Sequence, residues 1–296
     1  LRKFMIESII NCENPFEADV VLLAANYDKT SSFGKGADKG PAAVKDCLDG
    51  QIEITNPELK ISYYDPGDLN SMEPEIMVSM LERRFGLFYD EGKFMITLGG
   101  EHSVSNGPFK HLASKQDAKD ITIFQIDAHL DMRDTDADYR DKPFGKYAHS
   151  CVMRRGAELG FKTVQVGMRR ASSKEEYEFA RQHGSKVFEW GKGFTGRQIV
   201  VPSIDNIVNA IETDQVYVTI DVDGFDPVHM PETGTPVQGG LEWWYGVNLL
   251  RKVFEQKKIV AADIVEIAPK LDPSLTAYGA AQLIYWMVGW KFNKKW

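Results

Sequence analysis

An α/β fold is predicted for this chain, with three αβα layers around a central, mostly parallel sheet, and three observations predict it. Apolar, β-prone runs alternate with helical patterns almost to the end of the 296 residues. The runs are nearly continuous in apolar character, as strands covered on both faces must be. Acidic and histidine-bearing motifs follow several runs directly, at the carboxyl ends of strands where open α/β sheets build their ligand sites.

The elements follow in order. Strand 20–25 is the aliphatic run Val20-Val21-Leu22-Leu23-Ala24-Ala25, and helix 41–48 opens at Pro41, whose fixed φ suits a first turn. Strand 61–64 precedes helix 75–89. Strand 94–98 ends at Gly99-Gly100 and is followed by helix 108–115. Strand 121–126 leads, after a long acidic segment, to helix 149–160. Strand 163–166, helix 174–183 and the short strand 187–188 come next. Helix 204–212 is capped by Ser203 and followed by strand 216–220; helix 243–256, strand 259–265 and helix 275–290, capped by Ser274, complete the series. No linker, composition shift or internal repeat divides the chain, so residues 1–296 are read as one domain.

Composition narrows the function. Apolar residues make up 43% and charged residues 26%, ordinary for a soluble globular protein. The net charge of −8 argues against nucleic acid or an anionic membrane as partner and is compatible with a cationic substrate. Cys12, Cys47 and Cys151 are sparse, odd in number and form no CxxC, which reads as reduced thiols in a cytoplasmic protein. Cys151 lies near His149, and a buried apolar role is favoured over a catalytic thiol. The stretch beginning Leu1-Arg2-Lys3 has no apolar core of a secretory leader, and no apolar run reaches the roughly 18 residues of a spanning helix. The loop Phe33-Gly34-Lys35-Gly36-Ala37-Asp38-Lys39-Gly40 misses the phosphate-binding glycine spacings and is expected to shape a pocket mouth.

Three motifs carry the chemistry. Asp127-Ala128-His129-Leu130-Asp131 puts two carboxylates and an imidazole on alternate residues after strand 121–126. Asp221-Val222-Asp223-Gly224-Phe225-Asp226 does the same with carboxylates after strand 216–220; Asp226, next to Pro227, suits a solvated turn, whereas Asp221 and Asp223 extend an apolar strand. Gly99-Gly100-Glu101-His102-Ser103 follows strand 94–98, its glycines permitting close backbone approach or positive φ. Gathered at one end of the sheet, His102, Asp127, His129, Asp131, Asp221 and Asp223 can hold two divalent ions if some carboxylates bridge. Oxygen-rich ligation with some imidazole suits Mn²⁺ and tolerates Co²⁺, Ni²⁺ or Fe²⁺. Two close metals lower the pKa of a shared water, so the residues alone point to a dinuclear metallohydrolase.

These three motifs, in order, resemble the signatures of the ureohydrolases, the family of arginase and agmatinase, and the resemblance runs from Asn26-Tyr27-Asp28 past Glu266. It implies an arginase-like fold with two Mn²⁺ per chain and hydrolysis of a guanidino group to urea and an amine. One metal would be held by His102, Asp127, Asp131 and Asp221, the other by Asp127, His129, Asp221 and Asp223. His149 matches the proton-shuttling histidine, Glu266 the carboxylate that binds the guanidinium, and Asp223 would also relay a proton to the leaving amine. Glu101, where many members have Asp, is expected behind the metal ligands. Met132-Arg133-Asp134 and His149-Ser150-Cys151-Val152-Met153-Arg154-Arg155 are similar to agmatinases, and the asparagine-bearing loop of arginases is missing, so agmatine is the expected substrate. A guanidino acid such as guanidinobutyrate is the alternative, arginine is less favoured, and a catalytically silent metal-binding regulator or a one-zinc deacetylase is the different class. The acidic residues Asp134, Asp136, Asp138 and Asp141 either receive a second positive charge or serve only the loop. Arg154-Arg155 and Arg169-Arg170 are expected in salt bridges or interfaces. The family implies a homo-oligomer, trimer or hexamer; the aromatics Trp243, Trp244, Tyr245, Tyr285, Trp286, Trp290, Phe292 and Trp296 are expected in the core or at subunit contacts.

Overall fold

The computed structural model describes residues 8–50, 59–170, 173–191 and 201–293. The amino-terminal stretch 1–5 and Trp296 fall outside them. Eight strands form one sheet: β1 (Val20–Ala25), β2 (Ile61–Tyr64), β3 (Phe94–Gly99), β4 (Ile121–Ile126), β5 (Lys162–Met168), β6 (Lys186–Glu189), β7 (Gln215–Asp221) and β8 (Lys258–Val265). Their order is β2-β1-β3-β8-β7-β4-β5-β6, and every pairing is parallel. The expectation of a mostly parallel sheet is thus met in its strictest form.

The helices cover both faces, as a parallel sheet requires. Alternate strand residues divide between two cores. Val20 and Leu22 of β1, with Phe124 and Ile126 of β4, pack among α1 (Gly40–Gly50), α6 (Ile204–Asn209), α7 (Trp243–Gln256) and α8 (Leu275–Lys291). Val21, Leu23, Ile121 and Ile123 turn to α2 (Pro74–Tyr89), α3 (Asn106–Lys115), α4 (Val152–Glu158) and α5 (Lys174–His183). Ser203 and Ser274 cap α6 and α8 as expected, accepting from the amides of Asn206 and Ala277. The aromatics of α7 and α8 form a chain of rings, Trp243 and Trp286 at 6.1 Å and Trp286 and Trp290 at 6.5 Å, with Trp244 at the surface.

Two helices differ from expectation. Residues 149–160 form a 3₁₀ turn, His149–Cys151, and then α4. The amides of Met153 and Arg154 donate to the Asp131 carbonyl at 3.0 and 3.3 Å, so the first turn of α4 is docked on the metal motif as well as on His149, whose carbonyl accepts the Val152 amide. The chain leaves through Gly160 at φ 103°. Helix 204–212 stops at Asn209, after which Ala210 and Ile211 make tighter i→i−3 bonds to Ile207 and Val208.

The last strand enters the middle of the sheet, between β3 and β7. This brings the carboxyl ends of β3, β8, β7 and β4 side by side. The chain leaving β3 is held by backbone bonds, Gly100 N–H to the Ala25 carbonyl at 2.8 Å and Glu101 N–H to the Tyr27 carbonyl at 2.7 Å. Gly100 serves close approach: a Cβ there would fall 1.8 Å from the Tyr27 oxygen, which is backbone and cannot swing aside. Gly100→Ala is expected to cost at least about 1–3 kcal/mol by overpacking, read as a lower urea midpoint; an unchanged midpoint would refute the close-approach role.

Candidate metal centre

Each motif turns back at its strand end by the same local device. Asp127 Oδ1 accepts the His129 amide at 2.6 Å, and Asp221 Oδ1 accepts the Asp223 amide at 2.9 Å. An aspartate that bonds the amide two residues on folds the chain into a tight turn and brings residues i and i+2 together. Asp223 Oδ1 then accepts the Ala128 amide at 3.0 Å, tying the two turns to each other. Three carboxylates use one oxygen for backbone, and their second oxygens face the space between, that of Asp127 also accepting from Gln125 and that of Asp223 from Thr235. Asp131 stands at φ 51° and Glu266 at φ 64°, two of three non-glycine residues with positive φ among the described residues. Such strain gathers where surrounding structure fixes a functional side chain.

The free atoms converge. His102 Nδ1 lies 3.2 Å from Asp131 Oδ2, 3.3 Å from Asp127 Oδ2 and 3.7 Å from Asp221 Oδ2. His129 Nδ1 lies 3.1 Å from Asp223 Oδ2 and 3.4 Å from Asp127 Oδ1. Two groups have ligand atoms within 4.8 Å of one another, His102–Asp127–Asp131 and Asp127–His129–Asp223, with Asp127 common to both. Asp221 belongs to neither group and borders the first through His102. The structure therefore brings all six sequence-predicted ligands to one place.

The donor set fits cations. His102 Nε2 meets Thr219 Oγ1 at 2.8 Å, while Nδ1 is buried without a hydrogen-bond partner and faces the carboxylates. An Nε2–H given to Thr219 leaves the Nδ1 lone pair for a metal. Burial followed by the charge of Asp127 pushes Asp131 up to about 6; burial, Asp223 and Asp127 push Asp221 well above the carboxylate range. Burial opposes the charged imidazoliums, but Asp127 and Asp131 raise His102 above its usual value, and Asp223 and Asp127 do the same for His129. Protons must stabilise this crowd of charge when no dication does.

Glu266 and His149 border the same centre. Glu266 Oε1 accepts the His102 amide at 3.0 Å and lies 3.3 Å from His149 Nδ1. Its described ion pair is with His149, and no Arg or Lys neutralises it among the described residues. Burial opposes the His149 imidazolium, but Glu266, joined by the charges of Asp131 and Glu101, raises its pKa. Thr30, which sequence reasoning missed, accepts the His149 amide at 2.9 Å and donates its hydroxyl to buried Glu101 at 2.5 Å. Glu101 also accepts the Ser103 amide at 2.7 Å, so it supports the His149 loop and the 3₁₀ turn His102–Ser105 from behind. Nothing in the local sequence of Thr30 marks this role, because its partners are 71 and 119 positions away.

An open cavity of about 590 Å³ reaches the centre, lined by His129, Asp131, Asp221, His149 and Glu266, with Thr235 and Glu176 and with Ser32, exposed Phe33, Arg133, Tyr139 and Arg170. The glycine-containing loop thus shapes the mouth, as its spacing implied. Tyr139 of the acidic segment lines the cavity, but Asp134, Asp136, Asp138 and Asp141 do not. Asp134 pairs with Arg155 at 3.0 Å, Asp138 pairs with Arg133, and buried Asp136 holds Arg140 at 2.8 Å and the Gly145 amide at 2.8 Å. Asp134, Asp136 and Asp138 thus hold their loop, which for these three favours the loop role over receiving a second positive charge. Asp226, read as a solvated turn, accepts the Val228 amide of that turn at 3.0 Å and the Gly239 and Gly240 amides at 2.7 and 3.1 Å. Arg154 and Arg155 make the expected salt bridges. Arg169 does not: it donates to the carbonyls of Val237 at 2.6 Å, Gly167 at 3.0 Å and Gly224 at 3.1 Å, bracing the Asp223 turn. Cys151 is buried, its thiol pushed up to about 12 by burial, as an inert core side chain would be.

The geometry has relatives. The N(1)-aminopropylagmatine ureohydrolase of Synechocystis sp. is 34% identical over 288 residues, covering 93% of this chain and 89% of that protein. The agmatinase of Pyrococcus horikoshii is 34% identical over 284 residues, covering 92% of each. The fold is that of Trypanosoma cruzi formiminoglutamase with Mn²⁺, at a TM-score of 0.80 and 19% identity over 97% of this chain and 98% of that one. A model of the Arginase family matches residues 18–289, the span that holds every residue of the centre described above, and the chain belongs to that family.

Proposed function

We propose that this chain hydrolyses the guanidinium group of a small cationic substrate to urea and an amine, that agmatine is the substrate, with putrescine as product, and that two Mn²⁺ ions serve the reaction. The observation that carries the reading is the convergence of four buried aspartates and two imidazoles next to Glu266, which no Arg or Lys pairs among the described residues, at the wall of one open cavity. The oxygen-rich donor set favours Mn²⁺ over a thiolate-seeking metal, and relatives named agmatinase and N(1)-aminopropylagmatine ureohydrolase favour the substrate.

His102, Asp127, Asp131 and Asp221 would hold one ion, and Asp127, His129, Asp221 and Asp223 the other. When bound, two such ions supply a water activated at neutral pH for attack on the guanidinium carbon. Glu266 binds the guanidinium by charge-assisted hydrogen bonds and orients its carbon toward the aspartates. Asp223 carries a proton to the leaving amine. His149, kept basic by Glu266 and open to the cavity, exchanges protons with solvent.

One observation favours a second substrate, a guanidino acid such as guanidinobutyrate. Arg170 lines the cavity without an ion pair among the described residues, and its amide donates to the Ala128 carbonyl at 3.1 Å, which ties it to the metal motif. A carboxylate at the far end of the substrate would be attracted there and an ammonium repelled.

Three outcomes are expected. With Mn²⁺ added, agmatine gives the highest urea release among agmatine, arginine, guanidinobutyrate and guanidinopropionate, and Arg170→Ser raises kcat/KM for agmatine roughly two- to five-fold, the scale of an exposed charge contact; a leading guanidinobutyrate rate that collapses in Arg170→Ser selects the second substrate, and no urea from any of the four refutes guanidino hydrolysis. His149→Ala lowers turnover about 100-fold or more, the size of a lost acid–base group, while metal content by plasma emission stays at the unmodified level; full turnover removes His149 from the mechanism. Glu266→Gln removes the charge that raises His149, so in metal-free protein the imidazole loses its proton at lower pH, which an NMR titration of labelled histidine measures; an unmoved titration would mean that Glu266 does not set the basicity of His149.

A further inference from the structure

Gln125 and Gln165 face each other in the β4–β5 register and are both wholly buried, the two amide side chains of these strands. Gln165 Nε2 donates to the Leu130 carbonyl at 2.8 Å and to Gln125 Oε1 at 2.6 Å. Gln125 Nε2 donates in turn to Asp127 Oδ2 at 2.6 Å. A backbone carbonyl can only accept, so the Leu130 end dictates which way the Gln165 amide faces. That orientation dictates the Gln125 amide, which then presents N–H, and not oxygen, to Asp127. The direction costs something: Gln165 Oε1 is buried with no partner.

The path begins and ends on one motif. Leu130 adjoins Asp131, and Asp127 is the carboxylate common to both ligand groups; its Oδ2 is also the oxygen 3.3 Å from His102 Nδ1. A neutral amide is suited to this place. It fixes the carboxylate plane while leaving the full charge of Asp127 for cations, which a lysine or arginine would neutralise.

We propose that Gln125 and Gln165 are positioning residues, an amide relay that orients Asp127 as the shared metal ligand and ties it to the backbone beside Asp131. Gln165 bonds no ligand carboxylate itself and governs metal affinity through Gln125. The inference rests on the metal-centre reading and not on the identity of the substrate.

The test is Mn²⁺ binding by calorimetry to full-length protein stripped with chelator, with circular dichroism and thermal unfolding of the metal-free variants alongside. Gln165→Met removes both donors and is expected to weaken binding roughly 10-fold. Gln165→Glu also lacks N–H, so Gln125 turns its amide to Glu and its oxygen to Asp127; acceptor then faces acceptor, and the loss grows to roughly 100-fold, the upper end for outer partners of metal ligands. In Gln125→Met the reversal has no route, so adding Gln165→Glu there costs little more. Gln165→Glu that binds Mn²⁺ like the unmodified protein overturns the relay, as does a Gln165→Glu loss that is the same with and without Gln125. If Gln165→Glu does not fold, Gln165→Met and Gln125→Met decide, because unweakened binding in both overturns the relay equally. Unmodified protein that binds no divalent cation overturns the metal centre and the relay together.

Discussion

Four aspartates share one buried centre, and the rest of the architecture answers the repulsion this creates. Asp127 and Asp223 are almost wholly buried and Asp131 and Asp221 nearly so, with imidazoles as their described cationic partners. Desolvating one unpaired carboxylate is costly, and gathering four compounds the cost, so the arrangement is stable only with cations or protons between them. The fold holds the ligands in place before a cation arrives. Strand order puts three motif-bearing strand ends and Glu266 side by side, and the Asp127 and Asp221 turns bind one oxygen of each carboxylate to backbone. Binding free energy is then not consumed in ordering the ligands.

The supports radiate outward from that constraint. Thr219 holds the far nitrogen of His102, Glu101 and Thr30 hold the His149 loop, and Arg169 gathers carbonyls behind Asp223. All are neutral contacts, or charged contacts to neutral partners. A formal countercharge inside the cluster would compete with the cations, whereas hydroxyls, amides and carbonyls orient the ligands and leave their charge intact. Positive φ at Asp131 and Glu266 belongs to the same economy of space: both residues must turn a carboxylate inward within a residue or a few of a strand end.

The layer architecture and the ligands were legible in the sequence because both are local. Uninterrupted apolar runs such as 20–25 and 121–126 identify strands buried on both faces, and alternation after a strand identifies Asp127, His129 and Asp131. Strand order was not legible, since nothing local tells β8 to enter between β3 and β7. The roles of Thr30 and Arg169 depend on that order and were hidden with it. Gln125 and Gln165 did leave a trace, one amide side chain in each of two largely apolar runs, but only the register reveals that they meet. The acidic segment misled in the opposite sense. Its charges look available in one dimension, yet Arg133, Arg140, Arg154 and Arg155 return to meet them.

That last pairing bears on how the site divides its tasks. The inner wall is built from strand ends, and in the proposed function its four carboxylates would match two dications, which would leave Glu266, beside His149, as the carboxylate for a guanidinium. In the proposed function, recognition of the reacting end would depend on Glu266, one carboxylate held in a strained turn. The mouth is built from loops whose acids and arginines largely satisfy each other, and Glu176 there already accepts the Ser173 amide at 2.8 Å as a helix cap. Little charge remains at the mouth to read the far end of a substrate. Differences among substrates that share a guanidinium must then arise from few contacts, with Arg170 and the length of the open cavity foremost, while the chemistry at the inner wall is common to all of them.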